Sequence, residues 1–216
     1  MKNGKDTNEI IKPIKKIVKI AFSGKMRSGK DWSVKYCISR LEKSFSRNFF
    51  IHENLADDLK DLCMKGFGNK NRETLQHFGT DIVRNGCNKY FGHSDFWINL
   101  YLNRIENIIL KDCFDNLVID FYNQHKYLGG IFCSGIRFPN EVDKLKEQGF
   151  KVVRLEVNRE QQLSRPTDNK ATINLDHESE VALDDYNNFD LVIPPCNLEE
   201  LKIHLDKFIG DIVNEG

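Results

Sequence analysis

Short apolar runs alternate with longer amphipathic stretches along this chain of 216 residues. The apolar runs lie at 17–22, 48–53, 129–136, 150–157 and 189–194. Runs of this length between turn residues are typical of buried strands. Helical spacing occurs at 29–46, 55–66, 71–86, 139–148 and 197–213, and a long amphipathic stretch begins at Ser94. The pattern over 114–127 fits either a strand or the continuation of a helix.

This alternation predicts an α/β fold, in which a parallel five-stranded sheet is covered by helices on both faces as a three-layer sandwich. We expect one domain over 1–216 with two insertions. The first is a helical insertion over about 54–128, and the second is a polar segment over about 158–185. Ligands of such folds bind beyond the carboxyl ends of the strands.

Composition narrows the classes of partner. Lys+Arg and Asp+Glu each number 32, and a protein dedicated to nucleic acid usually carries a basic excess, so we expect no nucleic-acid polymer. The six cysteines include no CxxC pair and are predicted to be small buried hydrophobes in a reducing compartment. The sequence contains neither the apolar stretch of a signal peptide nor a run of about 20 apolar residues. We therefore expect no membrane partner and a cytoplasmic location, in a cell or in a virus-infected cell.

The segment GKMRSGKD, from Gly24 to Asp31, fits the pattern G-x(4)-G-K between a predicted strand and a predicted helix. Its glycines allow successive backbone N–H groups to turn inward around phosphate oxygens, and the next helix directs the positive end of its dipole at the anion. Lys30 would reach the β- and γ-phosphates. The alternative is a glycine turn that caps an ordinary helix.

The position after the loop lysine usually holds Ser or Thr as a ligand of Mg²⁺, and here it holds Asp31. A carboxylate can hold Mg²⁺ directly or through water. We therefore predict a nucleotide–magnesium site at the loop. Its predicted contacts are Gly24, Lys25, Arg27, Ser28, Gly29, Lys30 and Asp31, with Asp31 as the metal ligand.

Five further segments follow the loop in the chain: LADDLKDLC at 55–63, RETLQHFGTDIVR at 72–84, DFW at 95–97, IRFPNEVD at 136–143 and DHESE at 176–180. In this order, from about Ile17 to Asp190, the chain resembles the deoxynucleoside monophosphate kinases found largely in bacteriophages. The animal-type phosphomevalonate kinases are built in a similar way. The resemblance implies a P-loop kinase fold, ATP with Mg²⁺, and in-line transfer to the acceptor's 5′-phosphate.

The resemblance also implies that 72–84 forms the site of the acceptor monophosphate. Arg72, Gln76, Thr80 and Arg84 recur at every fourth residue, so one helix face can present all of them. Two guanidiniums suit a phosphate dianion, although a solvated helix face would give the same pattern. Similarity to the family further suggests that Asp95 and Trp97 contact the acceptor's sugar or base, with core packing as the alternative for the tryptophan.

Arg137, Asn140 and Glu141 follow the third predicted strand. The resemblance implies that Arg137 clamps the transferring phosphoryl group and that Glu141 belongs to the acceptor site. In the family this word reads DVRFPNE, with Asp where this chain has Gly135. Three interpretations follow: Mg²⁺ is bound by Asp31 and water, another acidic residue supplies the missing carboxylate, or activity is weakened.

The polar segment 158–185 resembles a lid that carries Arg159 and Arg165 onto the ATP phosphates. The alternative is a mobile loop with solvated arginines. His177, Glu178 and Glu180 in this segment lack the spacing of a metal site and are interpreted as lid or adenine-side structure.

These patterns predict a phosphotransferase that uses ATP and Mg²⁺ to phosphorylate a nucleoside or deoxynucleoside monophosphate, with Lys30, Arg137 and Arg165 as catalytic residues. Two alternatives stay open. One is another P-loop small-molecule kinase, with a phosphomevalonate-like or dephospho-coenzyme A acceptor. The other is a nucleotide-binding protein with weakened catalysis. The sequence also leaves a homodimer open.

Overall fold

A computed structural model describes residues 15–43, 48–108, 127–164 and 175–214. In chain order the elements are β1 (Lys15–Gly24), α1 (Lys30–Glu42), β2 (Asn48–Asn54), α2 (Asp57–Phe67), α3 (Arg72–Gln76), a π-helical segment (His77–Arg84), α4 (Asn85–Phe91), α5 (96–108), β3 (Tyr127–Ile136), α6 (Pro139–Glu147), β4 (Lys151–Leu155), α7 (Arg159–Ser164), α8 (Glu178–Val181), β5 (Leu191–Ile193) and α9 (Leu198–Asn214). The undecided stretch lies outside the described residues over 114–126.

The five strands form one parallel sheet in the order β2-β3-β1-β4-β5, which confirms the predicted architecture. Strand β1 is the central strand, between β3 and β4. The loop that follows β1 therefore begins in the middle of the carboxyl edge, beside the ends of both neighbouring strands.

Two apolar cores cover the two faces of the sheet because side chains alternate along β1. Val18, Ile20 and Phe22 pack with residues of α1 and α9 in one core. Ala21 belongs to the other core, to which α5 and α6 contribute. These two layers of helices complete the three-layer sandwich.

A β-bulge interrupts β3 just before its end. Phe22 pairs with Ser134, but the next residue of β1 pairs with Ile136, so Gly135 is an extra residue in the strand. Gly135 has a φ of 90°, and a Cβ at this position would collide with Asn54 Oδ1. Glycine is required here, since other residues rarely adopt this conformation.

Several predicted boundaries are corrected by the structure. The helix predicted over 71–86 is not continuous, because the π-helical segment separates α3 from α4. Strand β4 ends at Leu155, before the predicted limit of 157. Helix α5 begins at 96, after the non-helical residues 93–95.

The division of the chain into a core, a helical insertion and a lid stays a prediction. Helices α2 to α5 lie between β2 and β3, and α7 and α8 lie between β4 and β5. Within the described part of the chain, every helix is too short or too polar to cross a bilayer.

Candidate active site

The loop between β1 and α1 has the backbone of an anion-binding turn. Gly24, Arg27 and Gly29 all have positive φ values, of 151°, 62° and 97°. A Cβ on Gly24 would lie 2.5 Å from the carbonyl oxygen of Leu155, so only glycine fits against β4. Gly29 is the N-cap of α1. The loop therefore curls at the amino end of this helix, as the sequence predicts for phosphate binding.

Lys30 lies beneath this curl. Its Nζ donates to the carbonyl oxygens of Gly24 at 2.7 Å and Lys25 at 2.8 Å, which ties the start of the loop to its end. Burial lowers the pKa of Lys30 well below its usual range, and the charge of Arg137 lowers it further. A nearby anion would offset both effects, so this ammonium group suits a phosphate.

Asp31 is exposed at the mouth of the loop and faces the end of β3. Its Oδ1 accepts a hydrogen bond from Ser134 Oγ at 3.2 Å. Ser134 Oγ also accepts a hydrogen bond from Asn54 Nδ2 at 3.1 Å and contacts His52 Nε2 at 3.0 Å. Ser134, the last residue of β3 before the bulge, thus contacts the side chain after the loop lysine, a pairing that the segment SGIRFPNE did not reveal.

A cavity of about 280 Å³ adjoins the loop. Its walls come from the loop, α2, α3, the π-helical segment and the end of β3. Of the predicted site residues, those lining it are Arg27, Lys30, Asp31, Arg72, Gln76, Thr80, Trp97, Arg137 and Glu141. Residues that are distant in sequence therefore converge on one space.

Two donors on this lining have no partner. Arg72 Nε and Gln76 Nε2 are shielded from solvent, and neither has a hydrogen-bond partner among the residues that the structure describes. They lie one helical turn apart on α3. Buried donors are nearly always paired in folded proteins, so this pair marks a place for an acceptor group on a ligand.

Trp97 combines the two roles that its sequence context suggested. Its side chain is buried, and its Nε1 donates to the carbonyl oxygen of Gly79 at 2.9 Å. The indole ring also lines the cavity. Trp97 therefore packs in the core and offers a ring surface, but not its N–H, to a ligand.

Arg84 lies outside the cavity lining. Its guanidinium donates to Glu141 Oε1 at 3.3 Å and to the Asn140 side chain, and it stacks on the ring of Phe138 at 3.5 Å from the centroid. Both members of the Arg84–Glu141 pair are buried. Arg84 therefore binds the start of α6, where Glu141 offers it a buried carboxylate, and its contact with an acceptor phosphate stays a prediction.

Glu141 caps the loop between β3 and α6. Its Oε2 accepts from the backbone N–H groups of Arg137 at 2.8 Å and Phe138 at 3.1 Å. Burial raises the pKa of Glu141, although the charge of Arg84 acts in the opposite direction. The carboxylate lines the cavity while it fixes the backbone of Arg137.

Two other predicted residues do not reach this cavity. Asp95 accepts a hydrogen bond from Asn140 Nδ2 at 2.7 Å and contacts Lys144 at 3.4 Å, so it supports α6. Arg159 is exposed on α7, where it contacts Asp176 at 3.7 Å. Arg165 lies outside the described residues.

Lys25 and Ser28 belong to the loop but turn away from this cavity. Lys25 Nζ contacts Asp184 Oδ2 at 2.7 Å. Ser28 is buried, and with Gly29 it lines a second cavity beside the loop. That cavity also contacts Trp32, Asn197 and Leu198.

Glu180 is the site residue whose place sequence reasoning missed. Its carboxylate is buried and contacts the guanidiniums of Arg72 and Arg137, the latter at 2.8 Å. It also accepts the backbone N–H of Met26, in the phosphate loop, at 2.9 Å. The word DHESE contains this residue, but no local pattern indicates that it lies at the loop.

The site is strongly cationic. Burial, and after it the charge of Arg72, lower the pKa of Arg137 to about 10. Lys30, Arg72 and Arg137 all line the same cavity. With Arg27 and Lys60, five cations line this space against the carboxylates of Asp31 and Glu141, so the excess positive charge and the loop amides can bind phosphoryl groups.

Two solved structures are similar to this chain at low sequence identity. The chain matches no family model and no curated protein. A shikimate kinase from Acinetobacter baumannii, in complex with shikimate, is 14% identical with a TM-score of 0.45, over 92% of this chain and 94% of that chain. The crystal structure of APE1195 is 12% identical with a TM-score of 0.44, over 94% and 98% of the two chains. At such low identities and TM-scores, neither likeness carries an activity or a ligand to this chain.

Proposed function

We propose that this protein is a kinase that transfers the γ-phosphoryl group of ATP to the 5′-phosphate of a nucleoside or deoxynucleoside monophosphate. One observation carries the proposal. Arg72 and Gln76, each with an unpartnered side-chain donor, line the same cavity as Arg27, Lys30 and Asp31 of the phosphate loop. A donor phosphate and an acceptor phosphate can therefore meet within one enclosed space.

The loop supports the donor half of the proposal. Its backbone curls at the amino end of α1, and Lys30 lies beneath it. The second cavity, beside Ser28 and Gly29, would take the nucleoside part of ATP, with the exposed ring of Trp32 on its wall. Phosphates bound in the loop would then extend from this cavity toward the acceptor cavity.

The residues at the loop mouth also fit Mg²⁺. Asp31 is an exposed carboxylate on the cavity lining, with Ser134 Oγ 3.2 Å from its Oδ1, and Mg²⁺ favours such oxygen ligands together with water. When bound, the ion would neutralise charge on the β- and γ-phosphates. Gly135 does not by itself argue against a metal, because the neighbouring Ser134, rather than the glycine, contacts Asp31.

The acceptor half relies on Arg72, Gln76 and Thr80, which line the same cavity as the loop residues. Arg72 and Gln76 would hold the acceptor phosphate in line with the donor, and proximity of this kind supplies much of the rate enhancement in phosphoryl transfer. Arg137 would balance the charge of the transferring group. A phosphate acceptor is already ionised at neutral pH, so no general base is needed.

The cavity also has an apolar wall of Leu55, Leu59 and Leu75. This wall favours an acceptor with an apolar portion. It therefore also fits the second candidate acceptor, which is a phosphorylated small molecule without a nucleobase. The chemistry at the phosphates would be the same for both classes.

The test is a coupled assay of ADP release with purified full-length protein. Candidate acceptors would be the nucleoside and deoxynucleoside monophosphates, phosphomevalonate and dephospho-coenzyme A, each with and without Mg²⁺. We expect Mg²⁺-dependent turnover with at least one nucleotide. Lys30→Ala should abolish it, while Lys35→Ala, at an exposed position on the same helix, should not.

Three outcomes would contradict the proposal in different ways. Turnover with a non-nucleotide acceptor alone would replace the acceptor class. Tight ATP binding without turnover on any acceptor would indicate a nucleotide-binding protein without catalysis. Near wild-type turnover of Lys30→Ala would refute the assignment of the phosphate loop.

A further inference from the structure

Glu180 joins three separate parts of the site through one carboxylate. One oxygen contacts the guanidiniums of Arg72 and Arg137, and the other accepts the backbone N–H of Met26. These donors come from α3, from the loop after β3 and from the phosphate loop. The Glu180 side chain is only 1% exposed, so the contacts are enclosed.

The donors that surround Glu180 are of the kind that proteins use for phosphate. Guanidiniums and loop amides bind phosphate oxygens by charge-assisted hydrogen bonds. The carboxylate therefore occupies a place that a phosphoryl group would satisfy equally well. It also lies between two partly buried like charges, Arg72 and Arg137, that would otherwise repel each other.

The backbone around Glu180 is anchored, so these contacts are built into the fold. Leu183, three residues later, is buried in the apolar core. Asp184 contacts Lys25 of the phosphate loop at 2.7 Å and Arg154 of β4 at 3.3 Å. On the other side, the ring of His177 accepts the backbone N–H of Ser179 and caps α8.

We propose that Glu180 is a built-in counter-anion of the phosphate site. It is a positioning residue that holds Arg72 and Arg137 together before a substrate arrives, and an incoming phosphate group competes with it for the same guanidiniums. The inference deepens the proposed function and rests on it for the identity of the substrate. The competition itself concerns only the binding of an anion.

Two consequences follow, and they have opposite signs. Removal of the charge of Glu180 removes a repulsion from the bound phosphate, so anion binding tightens. The same change releases the arginines from their fixed positions, so kcat for the acceptor falls. A merely structural residue would weaken both properties together.

The experiment measures the binding of inorganic phosphate to the full chain by titration calorimetry. We expect Glu180→Gln to lower the dissociation constant roughly three- to tenfold, as the loss of one partly screened charge predicts. Glu180→Asp, which keeps the charge but draws it back, should lower the constant by a smaller factor. Glu178→Gln is the matched control, because Glu178 is exposed on the same helix, and it should have no effect.

A double-mutant cycle tests whether the gain in phosphate affinity comes from competition for Arg72. In an Arg72→Met background the gain from Glu180→Gln should become smaller, since one of the two contested guanidiniums is absent and Arg137 alone remains. Near-ultraviolet circular dichroism verifies that each variant is folded. If Glu180→Gln does not fold, Glu180→Asp provides the test: a lower dissociation constant for phosphate supports the inference, and an unchanged or higher one refutes it.

Unchanged or weaker phosphate binding in the folded Glu180 variants would overturn the inference, and so would a gain that is undiminished without Arg72. The two proposals can fail separately. An active kinase without tighter phosphate binding refutes only the role of Glu180, whereas tighter binding in a chain without transferase activity refutes only the kinase.

Discussion

Replacement of Arg84 with methionine is expected to destabilise the fold rather than to remove an acceptor contact. Methionine keeps much of the apolar length of the side chain but removes the guanidinium. That group donates to Glu141 at 3.3 Å, to Ser94 Oγ at 3.2 Å and to the Asn140 side chain, and it stacks on Phe138. The substitution would leave Glu141 as a buried carboxylate without its ion-pair partner.

The magnitude follows from this burial. Arg84 and Glu141 have side-chain exposures of 7% and 3%, so solvent screens the pair little. Removal of one member of a buried pair costs about 3–5 kcal/mol, because the remaining charge is uncompensated. For a chain of this size that corresponds to a fall in Tm of roughly 6–20 °C.

Urea unfolding and acceptor kinetics, measured on the same preparations, would check this expectation. Arg72→Met is the comparison, since Glu180 keeps a second partner in Arg137 when Arg72 is lost. It should raise the acceptor KM far more than the ATP KM, with a loss of stability smaller than that of Arg84→Met. The reasoning would be refuted if Arg84→Met retained wild-type stability and lost acceptor affinity.

Three further predictions concern the loop and the bulge. Burial lowers the pKa of Lys30, so the affinity for a triphosphate should fall as the pH rises through that lowered value. The free energy of unfolding should instead rise from there up to the usual lysine range, because in this interval the unfolded chain binds a proton that the folded chain has lost. Calorimetry measures the affinity and urea unfolding the stability, both at stepped pH. Asp31→Asn should raise the Mg²⁺ concentration for half-maximal rate about tenfold or more, and it should leave the metal-free binding of a fluorescent ADP unchanged. If Mg²⁺ dependence and metal-free ADP affinity were weakened equally, Asp31 would not be a ligand of the metal. Gly135→Ala should lower the free energy of unfolding by about 1–3 kcal/mol, because the backbone has a positive φ and the new Cβ would collide with Asn54. Gly86→Ala is the control: its Cβ would lie in open space on α4, so the substitution should not destabilise the protein.

Local sequence patterns were sufficient for the sheet and for the phosphate loop. Strand β1 is a near-continuous apolar run, and burial on both faces requires that composition. The loop is defined by glycines at positions of positive φ and by a lysine within seven residues, so neighbours along the chain carry its whole signal. Arg72, Gln76 and Arg137 were also predicted as site residues, and they line one cavity, although their roles stay predictions.

Contacts between distant segments lay beyond any local pattern. Arg84 and Arg72 both looked like phosphate ligands in one predicted helix, yet Arg84 pairs with Glu141, 57 residues later in the chain. Whether an arginine reaches a ligand or a buried carboxylate depends on which acid folding brings beside it. Glu180 and the phosphate loop illustrate the same limit, since Met26 lies 154 residues before the carboxylate that it contacts.

The bulge in β3 is a second feature that local sequence patterns did not predict, and it involves a single residue. From the sequence, Gly135 occupied the position of the family's aspartate, whereas the paired strands bring Ser134 to Asp31. Gly135 is the extra residue of the bulge and has no partner in β1, and only the hydrogen-bonded partner strand reveals this. Chain-local chemistry thus specified the elements and the loop, while the packing of remote charges specified which side chains complete the site.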